Sequence, residues 1–170
     1  MTIATGNLAT IDLDGALDLT KYKWQEFHYE DDHGYLVHHD QTILDYDRER
    51  GTLDLLVRWG KDGGHCMVHR HIASTTCIVL EGEQHFYDYD ENGKRATEPR
   101  IRRAGEHGLS KGPDTMPHME RGGPDGGVAF FSMHGGGPDA VLYDAYDKDM
   151  NVVVEVTPDM ILQDFEANAK

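Results

Sequence analysis

From residue 24 onward the chain reads in a period of two. Apolar and polar positions alternate over 24–29, over Leu53, Leu55 and Val57 with Asp54 and Arg58 between and beside them, and again over 75–80, 84–89, 128–133 and 152–156. This is the spacing of short, half-buried β-strands. Turn chemistry separates them: Gly63-Gly64, Asn92-Gly93, the glycine-rich run over 122–127, and Gly135-Gly136-Gly137-Pro138. The Asn-Gly pair predicts a tight hairpin between Tyr87-Asp88-Tyr89 and the strand over 95–102. Only the tail changes period. Thr157 suits an N-cap and Pro158 the first helical position, and Ile161 and Phe165 stack at i, i+4, which predicts a short helix from about Pro158 to Glu166. Residues 1–20 alternate weakly and carry Gly6 and Gly15, as an extended arm would. The pattern predicts one all-β domain over 1–170: an arm over 1–20, an antiparallel sandwich or barrel over 21–156, and a C-terminal helix over 157–170.

Composition narrows what such a domain does. The 170 residues carry 31 acidic against 16 basic side chains, a formal net charge of -15. That field repels phosphate backbones and anionic lipid, so no nucleic-acid and no membrane partner is expected. The start of the chain has neither the charged nor the apolar region of an export signal, and its two cysteines, Cys66 and Cys77, read as free thiols of a reducing compartment. The cytoplasm is the expected location. The 11 histidines are the unusual feature.

Two of them, His69 and His71, sit two apart in a strand-like segment and so point to one face. On spacing alone they suit either one metal ion or a hydrogen-bonded surface pair. A third, His118, follows a proline-pinned turn, Pro113-Asp114-Thr115-Met116-Pro117.

Together these segments resemble the two motifs of the cupin superfamily. Gly63, His69, His71 and Gly82, with Ile78-Val79-Leu80-Glu81 leading into the last, take the places of the first motif. Gly105, Pro113, Thr115 and His118 take those of the second. The resemblance implies an RmlC-like antiparallel β-barrel or jelly roll, a homodimer, and one divalent metal per chain held by His69, His71 and His118. Where most metal-binding cupins place a glutamate four residues after the second histidine, this chain has Thr75. The expected centre is therefore three neutral donors with about three open positions. Within the superfamily, the stretch from His69 to Glu83, the Tyr87-Asp88-Tyr89 segment and the late strand Phe130-Phe131-Ser132-Met133-His134 look most like the small bacterial enzymes related to acetylacetone-cleaving and 2,4'-dihydroxyacetophenone dioxygenases.

The remaining polar residues are placed by parity. Counted from His69, Thr75 and Cys77 point inward; beyond Gly82 either His85 with Tyr87, or Asp88, lines the pocket. The candidate pocket residues are Thr75, Cys77, His85 and Tyr87. Arg70, between two ligands, points outward to an ion pair. His28, His33, His38 and His39 lie in an acidic stretch and are expected at the surface, as are His107 and His134. No catalytic side chain is assigned beyond the metal ligands.

The leading expectation is an iron(II) dioxygenase that cleaves a carbon–carbon bond of a small enolisable carbonyl compound, a β-dicarbonyl or an aryl hydroxyketone, with O₂ as co-substrate. Nickel, zinc or manganese suit the same imidazoles. The net charge favours substrates that arrive neutral. The alternatives are a redox-neutral metal enzyme (isomerase, lyase or hydrolase) and a non-catalytic ligand or metal sensor.

Overall fold

The computed structural model describes residues 18–170, so the arm expected over 1–20 lies outside the described residues except for its last positions. There Asp18 caps a single 3-10 turn, Leu19–Lys21. Ten strands follow among the described residues: β1 (Gln25–Glu30), β2 (Leu36–Asp47), β3 (Thr52–Trp59), β4 (His69–His71), β5 (Ser74–Asp88), β6 (Arg100–Arg103), β7 (His107–Ser110), β8 (His118–His134), β9 (Tyr143–Tyr146) and β10 (Val152–Val156). Helix α1 (Pro158–Asn168) closes the chain, its first turn capped by the Thr157 hydroxyl, which accepts from the Met160 amide.

The ladders between these strands are all antiparallel, in a single curled sheet. Strand β8 organises it. Its second half is flanked by β3 on one side and by the first half of β5 on the other, while its first half lies between β4 and the second half of β5. The core fills the concave side: Leu53, Leu55 and Trp59 from β3, Cys77 from β5, and Ala129, Phe131 and Met133 from β8, with Leu142, Val156 and Ile161 of α1 closing one end. Every second residue of β3 and β8 points inward here, which is the alternation the sequence carries.

Three elements differ from the sequence pattern. Strand β2 does not alternate, because its neighbouring residues Gln41 and Thr42 are both buried, and it bulges between Ile43 and Asp45. The Gln41 amide is satisfied inside by Gln25 at 3.0 Å, so a buried polar residue stands where an apolar one would have marked a strand. The runs over 75–80 and 84–89 are one strand, β5, and the glycine run over 122–127 is a bulge within β8 rather than a turn. Glycine permits both: Gly82 has φ +64°, and a Cβ on it would stand 2.4 Å from the Gly126 carbonyl oxygen.

These bulges reverse which side chains of β5 face inward. Thr75, Cys77 and Val79 are buried before them. Beyond them, β8 partners Gln84 with Gly122, Phe86 with Glu120 and Asp88 with His118, so the even-numbered residues share a face with His118 and Glu120. The Asn92-Gly93 turn forms as the sequence suggests, with Gly93 at φ +72° and Tyr89 bridged to Arg95. Cys66 and Cys77 are free thiols. No helix among the described residues is long and apolar enough to cross a membrane.

Candidate metal centre

Strand β4 is only His69-Arg70-His71, but it sits in the middle of the sheet. His69 is paired with His118 of β8 on one side and with Ala145 of β9 on the other. Cross-strand partners share a face, and so do residues two apart on a strand. His69, His71, His118 and Glu120 are therefore collected on one inner face. All four are buried, and each offers a donor atom within 4.8 Å of the others. Arg70 points the other way and pairs with Asp144 at 2.7 Å.

The hydrogen bonds behind the ligands fix their tautomers. His69 Nδ1 lies 3.0 Å from the Met67 carbonyl oxygen, which can only accept, so Nδ1 carries the proton. His71 Nδ1 lies 3.1 Å from the Thr75 hydroxyl, whose own proton goes to the Ala73 carbonyl. Thr75 therefore accepts from His71 Nδ1–H. Both Nε2 atoms are left with bare lone pairs, and these face one another at 3.2 Å. Two acceptors at that distance repel unless a cation lies against both. Orientation of the ligand nitrogen by a hydrogen bond to the other ring nitrogen is the usual support of a metal-binding histidine.

Glu120 completes the set. Its Oε1 is 3.1 Å from His118 Nε2, and its Oε2 accepts from Gln84 Nε2 at 3.2 Å. Gln84, fully buried, accepts in turn from the Cys77 thiol. Burial alone would raise the Glu120 carboxyl, but the His118 hydrogen bond and the surrounding imidazoles outweigh it and hold the group down to about 2. Burial pushes His69 down to about 4 and His71 well below its ordinary value, helped by the neighbouring imidazoles. The cluster thus offers neutral imidazole nitrogens and one ionised carboxylate. A divalent cation suits this donor set: it would lie against both bare Nε2 atoms and replace the proton that His118 now shares with Glu120.

Two cavities meet at the cluster. One, of about 280 Å³, is the more polar of the two; His71, His118 and Glu120 line it together with Thr75, Cys77, Phe86, Arg100 and Arg102. The other, of about 120 Å³, is largely apolar and runs into the barrel between Phe27, Leu55, Val57, Trp59 and Met133, reaching His69, His71 and Glu120 from behind.

The strand order and the site can be set against known proteins. No family model and no curated protein sequence matches this chain. Among solved structures it is similar to an acetylacetone dioxygenase from Acinetobacter johnsonii, with a TM-score of 0.60 and 11% identity over 78% of this chain and 79% of that one. It is similar to a candidate acetylacetone dioxygenase from Methylibium petroleiphilum PM1, with a TM-score of 0.60 and 12% identity over 86% and 90% of the two chains. An RmlC-like cupin from Ralstonia eutropha JMP134 gives a TM-score of 0.59 and 14% identity over 89% and 87%. The chain has the cupin fold. At these identities the likeness speaks for the fold alone.

Within the cupin barrel the expected residues divide. Thr75 and Cys77 are in the wall of the polar cavity, and Thr75 supports His71 instead of standing ready to bind metal. His85 and Tyr87, expected in the pocket, are not there: the β5 bulges turn them to the opposite face. His85 meets Glu83 at 2.7 Å, and Tyr87 packs against His65, Arg95 and Arg121. Asp88 takes the pocket side, its carboxylate bound at two points by Arg100. Beside the three expected histidines the cluster holds a carboxylate, Glu120, which the expectation of three neutral donors did not include. The family pattern sets its acid four residues after the second histidine; here the carboxylate of the cluster stands on β8, two residues after His118 and so on the same face. His39, expected at the surface, is half-buried. It stacks on Phe27 with ring centroids 4.8 Å apart and lines the apolar cavity.

Proposed function

We propose that this chain is a non-haem iron(II) dioxygenase that cleaves a carbon–carbon bond in a small enolisable carbonyl compound. The observation that carries the reading is the pair of bare Nε2 atoms on His69 and His71, fixed by Met67 and Thr75 beside His118 and Glu120, at the meeting point of a polar and an apolar cavity. His69, His71 and His118 would hold the ion, with Glu120 as a fourth donor; nickel, zinc or manganese suit the same set. When bound, iron(II) supplies a Lewis acid for an enolate and a redox couple for O₂.

The chain's own residues do the rest. Glu120, held ionised by the His118 hydrogen bond, would offset one unit of the metal's charge. Thr75 holds the His71 ring in one tautomer. Phe86 and Phe131 supply the aromatic part of the polar cavity's lining. The apolar cavity behind the cluster suits dioxygen, a small apolar molecule that gains nothing from hydrogen-bonding walls. The fold likeness to an acetylacetone dioxygenase supports the same reading. A redox-neutral metal enzyme is the alternative, and zinc, which has no accessible redox couple, separates the two.

The test is metal analysis of protein purified without oxygen, followed by oxygen-electrode assays with 1,3-dicarbonyls and hydroxyketones. The reading expects O₂ to fall in step with substrate for the iron form, and no turnover for the zinc form. Equal turnover of zinc and iron forms under nitrogen would replace it with the redox-neutral reading. A homodimer is part of the proposal, supported by the edge strand β10, which leaves Val152, Val153 and Val154 exposed. A monomeric mass by light scattering at micromolar concentration would remove it.

A further inference from the structure

The wall of the polar cavity contains one cation that the cluster does not explain. Strand β6 pairs with β5 in a register that sets Arg100 opposite Phe86 and Arg102 opposite Gln84. Cross-strand partners share a face, so both guanidinium groups are carried to the side of Glu120 and His118. Arg100 is neutralised by Asp88, with contacts of 2.6 and 2.7 Å. Of the other carboxylates in the wall, Asp114 accepts from the Ser110 hydroxyl, and Glu120 belongs to the metal cluster. Arg102 has no carboxylate within ion-pair distance among the described residues. Its guanidinium instead lies over the Phe86 ring, 4.4 Å from the centroid, and flat against Gly108. A Cβ on Gly108 would stand 2.3 Å from Arg102 Cζ. The glycine therefore makes the berth in which the guanidinium lies, next to Cys77, its cross-strand partner.

A planar cation, held on an aromatic face, unpaired, and beside a site for a chelating carbonyl group, fits a carboxylate in fork geometry. We propose that Arg102 selects the substrate by binding its carboxylate, so that the compound turned over is a small oxo acid rather than a neutral diketone. This rests on the reaction proposed above. The net charge of -15 does not oppose it. Charges more than about 8 Å away are largely screened at physiological ionic strength, and inside the cavity Arg102 is the guanidinium that no carboxylate neutralises.

The experiment compares two probes of similar shape and different charge, acetoacetate and acetylacetone, by calorimetric titration of the zinc-loaded protein, which does not turn over. In Arg102→Gln the acetoacetate affinity is expected to fall about tenfold to a hundredfold, while that for acetylacetone changes less than about threefold. Gly108→Ala tests the same point without removing charge. The atom it displaces is the end of a flexible side chain, so the barrel is kept and the guanidinium is moved, and acetoacetate again weakens more than acetylacetone. Equal shifts for both probes, or none for either, in folded variants would overturn the proposal. If the protein takes up no zinc, the metal reading fails on its own, and the acetoacetate titration of metal-free wild type against Arg102→Gln still decides for or against Arg102. If binding discriminates but the iron form consumes no O₂ with either probe, the dioxygenase reading fails and Arg102 stands.

Discussion

Among the described residues two histidine clusters lie within metal-binding distance on neighbouring strands, and they differ in burial and in how their nitrogens are used. One joins His69, His71, His118 and Glu120 inside the barrel; the other joins Glu26, His28 and His38 on the outer side of β1 and β2. In the outer cluster both nitrogens of His38 are already used, one by Asp62 and the other by Glu26 at 3.4 Å. The hydrogen bond that His38 donates to Asp62 raises its value and so favours the protonated ring. In the inner cluster burial lowers His69 and His71, and backbone and hydroxyl acceptors leave their Nε2 atoms bare. Proximity alone makes an ion-pair network. A metal centre also needs neutral donors with the proton on the far nitrogen, which burial and a supporting acceptor provide.

The sharpest way to break this comparison is to remove one inner ligand. His118→Ala is expected to lower metal affinity on the order of a hundredfold or more, whereas His38→Ala leaves it unchanged, by equilibrium dialysis under nitrogen. Glu120→Gln keeps the shape and the three imidazoles but loses the charge; a fall of about tenfold to a hundredfold is expected. Thr75→Val removes only the acceptor that fixes His71, and about a tenfold loss should follow. Unchanged affinity in Thr75→Val would mean that the tautomer is not held from that side.

The smallest effect is in pH. His69 and His39, both held to about 4, take up protons more readily when unfolded, where their value is about 6.5. The metal-free protein should therefore lose thermal stability as pH falls from about 6.5 toward 4. His38 has the opposite sign. Its raised value contributes stability below about 6.5 that is lost as pH rises through its folded value, and for a partly exposed pair this is worth at most about 1 kcal/mol. Melting temperatures of wild type and His38→Ala across this range separate the two.

The strands that alternate were legible in the sequence, as were the cap of α1 and the gathering of His69, His71 and His118. What stayed hidden has common physical causes. Strand β2 hides because amide pairs replace apolar residues at its inward positions. The faces of β5 beyond Gly82 hide because bulges reset the parity, and only the pairing with β8 shows where. Glu120 was legible in principle, two residues from His118. The family pattern points to an acid beside the first two histidines, but a site assembled across strands can draw its carboxylate from any of them.

The most direct test of which cluster is the metal centre is a crystal structure of protein loaded with iron under nitrogen, with anomalous scattering recorded at the iron edge. The account predicts one peak per chain, about 2.0–2.3 Å from the Nε2 atoms of His69 and His71. A peak between Glu26, His28 and His38 with none inside the barrel would contradict it.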